Sequence, residues 1–230
     1  MNDEDRYRTL TRDWYQSENV AKHYHSSVVT GPLTLKNLSH RIIAHREIKL
    51  IYHILAGLNP VPKNILDIPC GTGKLAEVFR SLGIPVVGAD ISQEMLKLLQ
   101  DRNPVQKSYT ALFRADATRL PYKDSAFDCI VCLRLLHRVP DTVRQNMFRE
   151  LARVARCHLI LSAGVNDGIQ AARLWLRNTF SKFPPVPFPI TRASFRQRSN
   201  TAGLSVVRSW DVLPIFSSEV LFLLKKDETK

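Results

Sequence analysis

No apolar stretch in this 230-residue chain approaches the ~20 residues needed to cross a bilayer. The opening residues, Met1-Asn2-Asp3-Glu4-Asp5-Arg6, are acidic and polar and lack the character of a secretion signal. Both absences predict a cytoplasmic protein. A disulfide framework is missing too: the four cysteines, Cys70, Cys129, Cys132 and Cys157, are scattered. Cys129 and Cys132 have C-x-x-C spacing but fall inside a predicted strand, where residues three apart face opposite sides. They read as reduced core cysteines. Five of the seven histidines, His23, His25, His40, His45 and His53, lie near the N-terminus without an H-E-x-x-H pattern or a cysteine partner. No metal site is expected from them.

Acidic residues are in deficit: 21 Asp and Glu oppose 33 Lys and Arg, a net charge of +12. A basic surface favours nucleic acid, anionic lipid or an acidic substrate. No dense Lys/Arg block with interleaved aromatics occurs, so nucleic acid is not the favoured partner. What is present is a globular composition, 44% hydrophobic and 23% charged, in a chain able to bury roughly 70% of its unfolded surface.

Residues 1–60 read as a helical cap. Trp14, Tyr15, Val20, Ala21 and Tyr24 recur at helical spacing over 11–24. A longer helix is predicted over 35–55, with Leu38, Ile42, Ile51, Ile54, Leu55 and Leu58 on its apolar face, ended by Gly57 and Pro60. Strands are predicted at 65–68, 85–89, 109–115, 127–133 and 157–163. Helices alternate with them over 73–82 (stopped by Gly83), after a Ser92 cap, and after an Asp141 cap. This alternation, without repeats or linkers, predicts a parallel sheet covered on both faces. In the C-terminal third, residues 168–180 read as a helix and 184–189 as a proline-rich connector. Residues 191–202 form another predicted helix, and 204–210 and 215–224 can pair as an antiparallel hairpin.

Chemistry concentrates after the first strand. Gly71-Thr72-Gly73-Lys74-Leu75-Ala76 satisfies G-x-G-x-x-G/A, and Asp90 follows about 20 residues on, where a ribose-binding acid belongs. A nicotinamide or flavin enzyme would fit these features. Asp67 discriminates: a carboxylate at the entrance of the turn repels a pyrophosphate but attracts an ammonium or sulfonium.

The ordered segments Ile65-Leu66-Asp67-Ile68-Pro69-Cys70-Gly71-Thr72-Gly73, Val87-Gly88-Ala89-Asp90-Ile91-Ser92, Ala115-Asp116-Ala117, Phe127-Asp128-Cys129-Ile130 and, less closely, Leu136-His137-Arg138-Val139-Pro140-Asp141 resemble the class I S-adenosylmethionine-dependent methyltransferases. The likeness is to their small-molecule branch, which includes ubiquinone and menaquinone biosynthesis enzymes, and covers residues 65–163. It implies a Rossmann-like α/β fold, a seven-stranded, mostly parallel sheet with helices on both faces and a C-terminal antiparallel hairpin. It also implies methyl transfer from S-adenosyl-L-methionine to oxygen or carbon of a small molecule or lipid precursor. By the same resemblance, Asp67, Gly71 and Gly73 hold the methionine moiety and Asp90 the ribose. Ile91 and Met95 pack near the adenine, Asp116 and Ala117 contact its edge, and Leu133 to His137 lie beside the sulfonium. His137 is the candidate base, Arg134 the candidate anchor of an anionic acceptor, and Tyr24 a lid contact. The domain is expected over 61–230, with 164–190 an acceptor insert or lid able to rest on an anionic membrane. Departures from the family are Arg138 in place of a second histidine and the Pro69-Cys70 pair in the turn. No Asn-Pro-Pro-Tyr-like segment follows the fourth strand, which argues against amide or adenine amine methylation. RNA- or protein-modifying methyl transfer, a nicotinamide oxidoreductase and a non-enzymatic binding module are the other classes weighed.

Overall fold

A computed structural model describes residues 35–101, 107–168, 171, 172, 175, 188–214 and 217–227. Tyr24, the helix expected over 11–24 and most of that expected over 168–180 lie outside the described residues. The strands are β1 (Ile65–Asp67), β2 (Val86–Asp90), β3 (Ala111–Arg114), β4 (Phe127–Cys132), β5 (Ala155–Gly164), β6 (Leu204–Asp211) and β7 (Glu219–Lys226). They form one seven-stranded sheet in the order β3-β2-β1-β4-β5-β7-β6. The first five are parallel, and β7 runs antiparallel between β5 and β6. The Rossmann-like fold with its C-terminal antiparallel pair is as the sequence implies.

The central strands are apolar because both faces are covered. On one face α4 (Asp141–Val154) and α5 (Arg192–Thr201) bury Met147, Phe148, Leu151 and Phe195, with Phe195 stacked on Phe222 of β7 at 3.8 Å between ring centroids. On the other, α1 (Leu35–Ala56), α2 (Ala76–Leu82) and α3 (Gln93–Gln100) bury Ile51, Leu55, Phe79, Leu96 and Leu99. Cys129 and Cys132 belong to opposite faces of β4, which keeps the two thiols apart.

Local signals decide most boundaries. Ser92 caps α3 by accepting from the Met95 amide, and Gly83 ends α2 in a left-handed conformation with φ 63°. Three expectations need correction. The apolar face of α1 does not include Leu38 and Ile42, which are exposed. At about 100° per residue Ile42 lies opposite Ile51, and the buried stripe runs instead through Ala44, Glu47, Ile51, Ile54, Leu55 and Leu58. The helix after the glycines starts at Ala76 and not at Gly73, because left-handed Gly71 and Gly73 turn the chain first. Asp141 is the first residue of α4 and not its cap; extended Pro140 occupies the cap, and the Asp141 carboxylate pairs with Arg198 and Arg144.

Gly88, in the middle of β2, faces the side chains that follow α3. A Cβ there would sit 2.6 Å from Leu112 Cδ2 and 2.9 Å from Tyr109 Cδ1. Both neighbours are packed, so Gly88→Ala must displace them. It should cost about 1–3 kcal/mol of stability, read as a lowered urea midpoint with an unchanged slope.

Candidate active site

In an open α/β sheet, ligands bind beyond the carboxyl ends of the strands where the order reverses, here between β1 and β4. Asp67 is the last residue of β1 and Asp90 the last of β2. Both are buried, 2% and 5% exposed. A buried carboxylate requires hydrogen-bond donors. Asp67 accepts from the Tyr109 hydroxyl at 2.7 Å. Asp90 accepts from the Gly71 amide at Oδ2 and the Ser92 amide at Oδ1, each at 2.9 Å. Gly71 aims its amide this way with φ 53°, a conformation that side chains disfavour.

Those donors do not fully compensate for burial. Burial raises Asp67 to about 7; the Tyr109 bond opposes the rise, and the charge of Asp90 adds to it. Burial raises Asp90 to about 6 against the amide bonds of Ser92, Gly71 and Ile91. Among the described residues no cation offsets the burial of Asp67, and each Asp90 oxygen keeps acceptor capacity for hydroxyl groups. A ligand with an ammonium and a ribose diol fits both deficits; a diphosphate does not.

The remaining expected residues lie along the same edge of the sheet. Ile91 is partly buried, and Met95 is buried in the first turn of α3. Asp116, beyond β3, is exposed, and its Oδ1 accepts from the Thr118 amide and hydroxyl at 2.8 Å, closing a local turn. Ala117 behind it is buried, as is Leu133 after β4. Arg134 has φ 57°; its amide donates to Ser162 Oγ at 2.7 Å, and its guanidinium donates to Glu47 at 3.0 Å. His137 is buried in a 3-10 turn, and Nδ1 accepts from the Gly164 amide at 3.0 Å. Nδ1 thus keeps its lone pair, and the neutral ring carries its proton on Nε2. That arrangement equips His137 to donate a hydrogen bond from Nε2.

Several contributors were not singled out from the sequence. Tyr109 reaches Asp67 only because Gly88 leaves it room. Arg144, buried in α4, donates to the carbonyls of Leu136, Val139 and Phe188 and so pins the segment carrying His137. Glu47 and Glu219 are buried acids with no sequence motif. Glu47 did leave a signal, a carboxylate in the apolar stripe of α1, which demands a buried cation.

Comparison with known proteins agrees with this geometry. Residues 65–158 match a family described as a methyltransferase domain. Over 97 residues the chain is 35% identical to norajmaline N-methyltransferase of Rauvolfia serpentina, covering 41% of this chain and 32% of that protein. Over 140 residues it is 26% identical to ubiquinone biosynthesis O-methyltransferase of Coxiella burnetii, covering 60% of this chain and 51% of that protein. The matched segments thus span about a third to a half of these relatives. A crystal structure of magnesium protoporphyrin IX methyltransferase from Synechocystis PCC 6803 with bound SAH superposes with a TM-score of 0.80 at 20% identity, covering 96% of this chain and all of the other. Residues 65–158, which carry the strand-end carboxylates and the glycine turn, are the part of this chain that is similar to a methyltransferase domain.

Proposed function

We propose that the protein transfers the methyl group of S-adenosylmethionine to oxygen or carbon of a small molecule or lipid precursor. The observation that carries this reading is the pair Asp67 and Asp90, buried on adjacent strand ends around the Gly71–Gly73 turn with no cation among the described residues to offset their burial. Asp67 and the turn would hold the methionine moiety, Asp90 the ribose, Ile91 and Met95 the adenine face, and Asp116 with Ala117 its edge. The bound cofactor supplies an electrophilic methyl carbon, so the chain's task is to orient the acceptor and exclude water. Buried Leu133 and the pinned 3-10 turn carry that task after β4. The protonated Nε2 of His137 suits an acceptor oxygen, which it would orient by donating.

The relatives named above act, by their names, on nitrogen in one case and oxygen in the other. The cofactor half therefore leaves the acceptor atom open, and the assignment to oxygen or carbon rests on His137 and the absent Asn-Pro-Pro-Tyr-like segment. RNA or protein acceptors have only the +12 charge in their favour. Several described cations, including Arg80, Lys97, Arg192 and Arg198, pair with neighbouring carboxylates. Peripheral contact with an anionic membrane has the exposed Trp175 in its support; among the described residues no helix is long and apolar enough to cross a membrane.

Tritiated methyl transfer from S-adenosylmethionine into fractionated cell extract tests the activity, with label expected in small-molecule or lipid fractions. Label confined to RNA or protein would overturn the acceptor class. His137→Ala should lower turnover at least tenfold (about 1.4 kcal/mol) and leave S-adenosylhomocysteine affinity within about twofold. In the orienting role the wild-type pH–rate profile lacks a limb from an imidazole base; such a limb, lost in His137→Ala, would make His137 the base instead.

The raised Asp67 makes cofactor binding sensitive to pH. The ammonium favours the ionised carboxylate, whereas the free protein holds a proton there below about 7. Binding should therefore release a proton near neutral pH, and affinity should fall as pH drops, by about tenfold between pH 8 and 6. Calorimetry with S-adenosylhomocysteine in buffers of different ionisation enthalpy reads both. Affinity that is flat over this range would remove Asp67 from the ammonium site, and NAD binding in its place would overturn the cofactor.

A further inference from the structure

A second set of buried charges lies on the α1 side of the sheet, at the same end as the cofactor carboxylates. Glu47 of α1 has no exposed side-chain surface. It forms an ion pair with Lys74, in the turn that follows Gly73. It also accepts from Arg134, whose Nε and Nη2 lie 3.2 and 3.0 Å from the same Oε2. Burial pushes the Glu47 carboxyl up, but the charges of Arg134 and Lys74 outweigh it and carry the group well below the usual carboxylate range. Glu219, the first residue of β7, completes the cluster. It is paired in register with Gly164, is 8% exposed, and its Oε1 has no hydrogen-bond partner among the described residues. Burial raises its carboxyl first, opposed by Arg134 and raised further by Glu47, the opposite direction to the shift of Glu47.

An apolar cluster of similar volume would stabilise the fold at least as well as a buried ion triad. Charge-assisted bonds differ from apolar contact in direction: they fix where each partner sits. The two cations that Glu47 fixes belong to the two segments flanking the point where the sheet order reverses. Lys74 lies in the glycine turn. Arg134 begins the segment that carries His137, and its carbonyl accepts from Arg138 Nε at 3.1 Å.

We propose that Glu47 is a positioning residue that holds the glycine turn through Lys74 and the segment after β4 through Arg134, setting the cofactor wall and the acceptor wall of the site relative to each other. The consequence for catalysis rests on the methyltransferase reading; the positioning itself does not, because it is a property of the ligand-free chain. One carboxylate shared by both walls makes order in one depend on order in the other. Lys74 is thereby a structural cation of the turn and not a phosphate ligand, which explains a lysine beside Gly73 in a site where no described cation offsets Asp67.

Amide hydrogen exchange on the ligand-free wild type, Glu47→Gln and Lys74→Met decides the matter. In Glu47→Gln, exchange should rise in peptides covering 70–75 and 133–138 and stay unchanged in β4 and β5. In Lys74→Met it should rise over 70–75 only, since Arg134 keeps its partner. S-adenosylhomocysteine affinity should fall about tenfold or more in Glu47→Gln. Uniformly faster exchange through the strands would show a fold stabiliser only, and unchanged exchange in both segments would remove the role altogether. If Glu47→Gln does not accumulate as folded protein, Lys74→Met carries the test: exchange confined to 70–75 supports the proposal, and unchanged exchange there overturns it. Wild type that fails to bind S-adenosylhomocysteine would refute the methyltransferase reading and leave the exchange result standing.

Discussion

Burial of the Asp67 and Asp90 carboxylates on neighbouring strand ends is the constraint that orders the rest of this site. Removing a carboxylate from water is costly unless donors replace the solvent. The chain supplies a phenol to one and two amides to the other. Each donor imposes its own requirement. The Gly71 amide reaches Asp90 only from a left-handed turn. The Tyr109 hydroxyl reaches Asp67 only across a strand position without a side chain, Gly88. The glycine pattern is therefore two kinds of glycine, one chosen for backbone angle and one for space.

Asp67, Asp90, Glu47 and Glu219 are all buried. Burial pushes every one of these acids up, and the partners decide whether it prevails. Asp67 and Glu219 rise because burial outweighs the groups that oppose it. Glu47 falls because two cations surround it. The upper edge of the sheet is thus divided. Over β1 and β2, among the described residues, no cation offsets the two carboxylates. Under α1 the edge is already compensated from within the chain.

The fold, and the strand-end carboxylates with their glycine turn, were legible because they are written in local patterns. The apolar run of β4, the Ser92 cap, the Gly83 stop and the carboxylates closing β1 and β2 each follow from a few consecutive residues. What escaped depends on contacts distant in sequence. Tyr109 is 42 residues from Asp67, and Glu47 is 87 from Arg134. Leu38 and Ile42 were misplaced because apolar residues were counted along α1 without fixing the angle of its buried stripe; fixing it would also have exposed Glu47. His137 was assigned by residue type, but the proton's place on its ring depends on the Gly164 amide, which only the packing of β5 supplies.

Arg134 shows how far this division of labour extends. A non-glycine residue at φ 57° stores about 1–3 kcal/mol of backbone strain. That strain persists only where the surroundings over-determine the conformation. Here the amide is held by Ser162 of β5, the carbonyl by Arg138, and the guanidinium by Glu47 of α1. Glycine would relieve the strain but lose the guanidinium, and with it the tie to α1. An arginine retained against its own backbone preference, with bonds to three parts of the chain, follows from a demand on where the end of β4 points. That demand is met at the place where the sheet order reverses.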